Sequence, residues 1–379
     1  MKYELIAILL LLLLQQKPAK AEEITGNGFI SKSLYYEQFD SRDRIWILQS
    51  ESGSSKCSDK IIISGRHKTQ ILDAQSKILK RQLTPRIGCI IVGLADVDKD
   101  GVDEIIERDG GPASKISGCG IFKDSGEPIW WYDDLHIRQK KYKEHVRDLL
   151  WGDLDRDGDI EFYVACDSEG LVKLDRFGKK VWQHRHKRGR MTAQCLGVEK
   201  INLDERKPLL AASFFAIAAW PWSNNKLIQI LDLDGNLIRE FKPKGSGMIQ
   251  GTKFVQWLGQ PCLFVGTARG MRIYNLYGDI LFKYSTKYLQ ARIFDCNAVT
   301  VKFENNKEPY LAALIRSRFI TKKRYSTLLI FSPRKEIVYK EVFPQELTTA
   351  LCTIPSDVSG QESLLIGLGN KIWRYDTTK

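Results

Sequence analysis

Two nine-residue stretches carry the densest chemistry in the chain. Asp96–Glu104 reads DVDKDGVDE and Asp153–Glu161 reads DLDRDGDIE. Each has aspartate at positions one, three and five, glycine at six and glutamate at nine. Alternate aspartates on a tightly turning chain converge. That suits a hard cation such as Ca²⁺, which takes six to eight oxygens at about 2.3–2.6 Å. The glycine permits the bend, the backbone carbonyl at position seven (Val102 or Asp159) adds an oxygen, and the ninth residue closes the cage. The expected ligands are Asp96, Asp98, Asp100, Val102 and Glu104 in one loop. In the other they are Asp153, Asp155, Asp157, Asp159 and Glu161, which makes two Ca²⁺ ions in all.

A helix-flanked calcium hand begins in the same way but requires a bidentate glutamate at position twelve. The first stretch has Glu107 there and the second has Val164. The segments entered at position nine, EIIERD and EFYVAC, read as strands. The two stretches are therefore strand-to-strand turns, and the question becomes what sheet holds them.

A repeat runs through the chain. ILDAQSKILKRQ, IFKDSGEPIWWY, KLDRFGKKVWQH, ILDLDGNLIREF, IYNLYGDILFKY, IFSPRKEIVYKE and a terminal WRYDTTK share a strand, a tight turn and an aromatic-rich strand. The third residues of these units are Asp73, Lys123, Asp175, Asp232, Asn275, Ser332 and Asp376. Each unit is a hairpin by its period-two alternation, and another apolar pair of strands precedes it. Four short antiparallel strands at a spacing of roughly 45–55 residues mark a propeller blade. The pattern predicts an all-β, seven-bladed β-propeller of four-stranded blades over residues 22–379. Its last unit lacks an outer strand, and GFISKSLYYEQF at 28–39 is the segment expected to supply it and close the ring.

The first 21 residues, with the apolar run Leu5–Leu14 and Ala19-Lys20-Ala21 before Glu22, read as a secretory signal peptide. The run is short for a bilayer span, and no later segment reads as transmembrane. The expectation is a protein exported to a bacterial periplasm or beyond. A net charge of +12 favours anionic partners. The eight cysteines, among them Cys89, Cys195, Cys262 and Cys352 inside apolar strands, read as mostly free, buried thiols.

The blade pattern and the carboxylate loops together resemble the FG-GAP or VCBS-type repeats of integrin α-subunit propellers and of many secreted bacterial proteins. The specific part of the likeness is the two loops. It implies Ca²⁺ on the ligands named above, although the family more often has aspartate at position nine. Elsewhere the motif is eroded, as in INLDERKPLLAA and VKFENNKEPYLAA.

No nucleophile elbow, zinc-protease helix, phosphate loop or dinucleotide fingerprint occurs. His136, His145, His184 and His186 form the one alternative metal set, for zinc. The leading expectation is a non-catalytic calcium-binding module for an anionic glycan or an envelope protein, with no specific nucleic acid partner. The alternatives are a polysaccharide lyase or hydrolase, and an outer-membrane assembly scaffold resembling quinoprotein-like propellers, suggested by Trp130, Trp182 and Trp373. A cationic, aromatic face opposite the acidic loops would carry Arg188, Arg190, Trp220, Trp222, Lys322 and Lys323.

Overall fold

The computed structural model describes residues 29–378 except 38–43, 46, 52–59, 66, 110–116, 134–144, 168, 189–190, 193, 202–207, 216–225, 245–248, 269, 286–290, 306, 320–323, 345 and 347. The described residues form seven four-stranded antiparallel sheets and one two-stranded ribbon, Lys187–Arg188 with Met191–Thr192, and contain no helix. The sheets are the seven blades of a propeller. Blades 1 to 6 occupy residues 47–83, 89–132, 146–184, 194–241, 249–285 and 291–344. Blade 7 takes three strands from 351–377, and Ile30–Glu37 is its outer strand, antiparallel to Lys371–Thr377. The expected N-terminal closure is thus present.

The burial of each strand follows its place in the blade. Second and third strands are apolar almost throughout and buried on both faces, as in Glu161–Cys166 and Gly170–Leu174. Fourth strands are largely exposed, as in Leu237–Phe241. The reason is that the core lies between blades. Seven apolar clusters are found among the described residues, one at each blade–blade interface. Ile106 and Ile121 of blade 2, for example, pack with Phe162 and Val164 of blade 3. The seventh interface joins Tyr35 and Ile372 of blade 7 to Ile61 and Leu72 of blade 1.

In blades 3, 4 and 5 the marker residue builds the turn between third and fourth strands. Asp175 Oδ1 accepts from the Phe177 and Lys179 amides, and Asp232 and Asn275 accept from the equivalent amides of their own turns. The glycine of the turn then receives an aromatic ring from the preceding blade. The Trp130 indole covers Gly178 and donates to the Arg176 carbonyl at 2.9 Å. Trp182 covers Gly235 and donates to the Leu233 carbonyl at 2.9 Å, and Phe241 covers Gly278. Where the sequence has no glycine a lysine takes its place. Lys335, at φ 69°, donates to the Leu281 carbonyl of blade 5, and the Lys77 ammonium lies over the ring of Tyr35.

First strands line a central cavity of about 520 Å³. Arg108, Asp148, Lys253, Asn297 and Thr349 face it. Lys253 pairs with Glu199. Burial lowers the Lys253 pKa, but Glu199, Asp148 and Asp295 outweigh it and hold the ammonium above its ordinary range. The seven described cysteines are all buried thiols, and burial pushes Cys89 and Cys262 up to about 11.

Candidate metal site: two acidic loops on adjacent blades

Both acidic stretches join the first strand of a blade to its second. In blade 2 the loop leaves Ala95 and returns at Glu104, which pair with each other; in blade 3 it leaves Gly152 and returns at Glu161. The two loops have one conformation. Lys99 and Arg156 occupy the left-handed region at φ 66° and 65°, and Gly101 and Gly158 at 87° and 90°. Asp98 Oδ1 accepts from the Asp100 amide at 3.2 Å, and Asp155 Oδ1 from the Asp157 amide at 3.2 Å. Asp96 Oδ2 accepts from Gly101 and Asp153 Oδ2 from Gly158, both at 3.1 Å. Asp100 and Asp157 each accept at 2.7 Å from the amide two residues on. The ninth residue reaches back in both: Glu104 Oε2 accepts from Val97 and Glu161 Oε2 from Leu154.

The carboxylates that gather differ between the loops. In blade 2 they are Asp96, Asp98 and Glu104; in blade 3 they are Asp153, Asp155 and Asp157, each set within 4.8 Å. Asp96 Oδ1 is buried and accepts no hydrogen bond. That oxygen, the carboxylate set and the glycine bend fit a hard divalent cation in blade 2. Glu104 is buried, which raises its pKa, and the neighbouring Asp98 and Asp100 raise it further. Among the described residues no cation pairs with it.

Blade 3 is different. The Lys173 ammonium, on the third strand, lies 3.2 Å from Glu161 Oε1 and 3.9 Å from Asp155 Oδ2. Burial and a hydrogen bond shared with Asp155 push Glu161 up to about 7, against the pull of the Leu154 amide and Lys173. Asp159 at position seven is also engaged, by Lys99 of the blade 2 loop at 2.7 Å and by Arg176 at 3.1 Å. This bridge ties the two loops together. Neither Lys173 nor Lys99 stands out in the sequence reading. The available signal was a single lysine in the apolar strand Gly170–Leu174 (GLVKL), 12 residues beyond Glu161.

The histidines do not assemble into one set among the described residues, where only the two acidic loops gather three or more ligating groups. His145 Nδ1 lies 3.3 Å from Asp109 Oδ1. His184 contacts Gln229 Oε1 at 2.9 Å, with His186 on the other side of the same amide. His136 lies outside the described residues, as do Cys57 and the signal-peptide segment 1–21.

Of the expected partner face, Arg188 falls in the short ribbon, whereas Arg190, Trp220, Trp222, Lys322 and Lys323 lie outside the described residues. The strand ends that lead to these segments are described. In blade 6 the second and third strands meet at Arg318 and Arg324, the far end of the sheet from the first-to-second turn at Val301 and Tyr310. At the same end of blade 3, Arg147 pairs with Asp167 and Arg185 with Glu169. No helix of the described residues is long and apolar enough to cross a membrane.

No protein-family model matches the chain, and no curated protein sequence matches it. Among solved structures, the chain is similar to BBS1N, determined in complex with ARL6DN and soaked with mercury. The TM-score is 0.56 at 10% identity, over 92% of this chain and 98% of that one. At that identity the likeness is one of fold: a propeller, as the sheet order here also requires.

Proposed function

We propose that the protein is an exported, non-catalytic binding propeller that takes up calcium in its acidic loops and engages an anionic partner, a protein of the cell envelope, on the opposite face. The observation that carries this reading is the pair of matching acidic turns, which join first to second strands of two adjacent blades. In chain order the basic stretches HIRQKKYKEHVR, QHRHKRGR and RSRFITKKRY come elsewhere, between second and third strands or between one blade and the next, and residues 136–144, 189–190 and 320–323 of them lie outside the described residues. A propeller of the same fold is found in a complex with a protein, which favours a protein over a glycan as partner. FG-GAP-type repeats are the family that the loops resemble. The bound ion would neutralise carboxylates that otherwise repel one another.

Melting the protein in calcium and in chelator tests the calcium half. Extracellular modules bind with Kd of roughly 10⁻⁴–10⁻³ M, so calcium at 100 times Kd adds about 2.7 kcal/mol. Asp98→Ala is expected to abolish most of that gain; no gain in the unmodified protein overturns the reading. For the partner half, Arg188, Arg190, Lys322 and Lys323 are replaced with Glu, and separately Trp220 and Trp222 with Ala. Capture of a partner from a cell-envelope extract is expected to fall in both and to weaken with salt. Capture that survives both sets places the partner elsewhere.

A further inference from the structure

We propose that Lys173 is a built-in counter-ion of the blade 3 loop, so that of the two acidic loops only the blade 2 loop takes up Ca²⁺ tightly. The inference rests on the reading of these loops as calcium sites and makes them unequal. The register across second and third strands supplies the comparison. Ile106 of blade 2 pairs with Ile121, and Tyr163 of blade 3 pairs with Lys173; Ile106 and Tyr163 each follow the ninth loop residue by two. The position that is Ile121 in one blade is therefore Lys173 in the other.

Lys173 is itself buried, at 9% exposure, with its ammonium 5.6 Å from the Tyr163 ring centroid. Its stem lies in the blade and only the head reaches the loop. There it contacts Glu161 and approaches Asp155, two of the five expected ligands of that loop. A Ca²⁺ ion that close to its oxygens would meet the ammonium as a like charge, most strongly at the buried Glu161 end of the loop. The ligand geometry records the consequence. Glu161 turns one oxygen to Lys173 while sharing a hydrogen bond with Asp155, whereas Glu104 gathers with Asp96 and Asp98 and pairs with no cation among the described residues. Blade 2 keeps an unsatisfied oxygen on Asp96. In blade 3 the lysine already supplies the positive charge that holds the turn.

The experiment is a calorimetric titration of the purified, calcium-stripped protein with CaCl2. The unmodified protein is expected to bind one ion, and Asp98→Ala to bind none in the same range. Lys173→Met keeps the apolar stem and removes the charge. It is expected to bind two ions, the new site at least tenfold tighter than any residual binding at blade 3 beforehand. Asp98→Ala with Lys173→Met should bind one. The metal-free Lys173→Met protein should melt below the unmodified one and recover in calcium, a readout independent of the titration.

Two equal sites in the unmodified protein overturn the inference while leaving the loops as calcium sites. One site in the unmodified protein and no second in either folded Lys173 variant also overturns it. No binding in any of the folded proteins overturns the calcium reading itself.

Discussion

Individual side chains in this fold act mainly by where burial leaves them. The buried thiols illustrate the point. Desolvation penalises the thiolate and pushes Cys89 and Cys262 up to about 11, and Cys119, Cys195, Cys296 and Cys352 higher still. Iodoacetamide at neutral pH is therefore expected to leave these six unlabelled in the native protein and to label them after denaturation, as read by peptide mass. Rapid native labelling of Cys195 or Cys296 would contradict the packing. Gly178 makes a second case. It sits at φ 75°, and a Cβ there would meet the Trp130 ring at 2.6 Å. Gly178→Ala combines a left-handed backbone with an overlap against a held indole, at a cost of roughly 1–3 kcal/mol. Denaturant midpoints measure it. Gly126, which has no neighbour within 4 Å of the same position, is the control in which only the backbone cost remains.

Between blades, the recurring device is an aromatic from one outer strand laid over the next blade's turn. It explains why the repeat ends in aromatics: the ring belongs to the interface, and the glycine to the neighbour that receives it. Trp130 shows both parts, an edge contact to Phe162 at 5.0 Å and an indole hydrogen bond to Arg176. Trp130→Ala should cost about 3 kcal/mol, the lower end for a buried Trp. Trp130→Phe, which keeps a ring and loses the N–H donor, should cost about 1 kcal/mol. If the two variants prove equally destabilising in urea, the hydrogen bond rather than ring packing holds the interface.

At the size of the whole ring, stability depends on closure. Every blade contributes one half of each neighbouring core, so an open propeller would expose two halves of apolar surface at once. The strand Ile30–Glu37 is what prevents this, through its register with Lys371–Thr377 and the Tyr35 hydroxyl, which donates to the Ala74 carbonyl of blade 1 at 2.6 Å. Deleting residues 22–38 should lower the denaturation midpoint more than any single substitution above. The free peptide GFISKSLYYEQF should restore part of the loss by adding the strand back, and a scrambled peptide should not. A deletion without effect would mean that the ring does not rely on this strand.

Local features could be read from the residue pattern alone. Alternation with period two marked the strands, Asp or Asn before a tight turn marked the hairpins, and the missing outer strand of the last unit pointed to residues 28–39. The acidic loops were legible for the same reason: their carboxylates lie within nine residues, and their conformation is set by Asx hydrogen bonds and a glycine inside the loop. Tertiary structure decided what lies across strands and blades. Lys173 reaches Glu161 only through the pairing of second and third strands, and Lys99 reaches Asp159 only because two blades adjoin. Arg108, Asp148, Glu199, Lys253 and Asp295 are scattered charges in five strand-like runs until the fold brings Arg108, Asp148 and Lys253 to the central cavity, with Glu199 and Asp295 near enough to act on Lys253. A lone charge in an apolar strand carries no local signal of its partner. Its meaning is set by the register and the neighbour that satisfy it, and those exist only once the chain has folded.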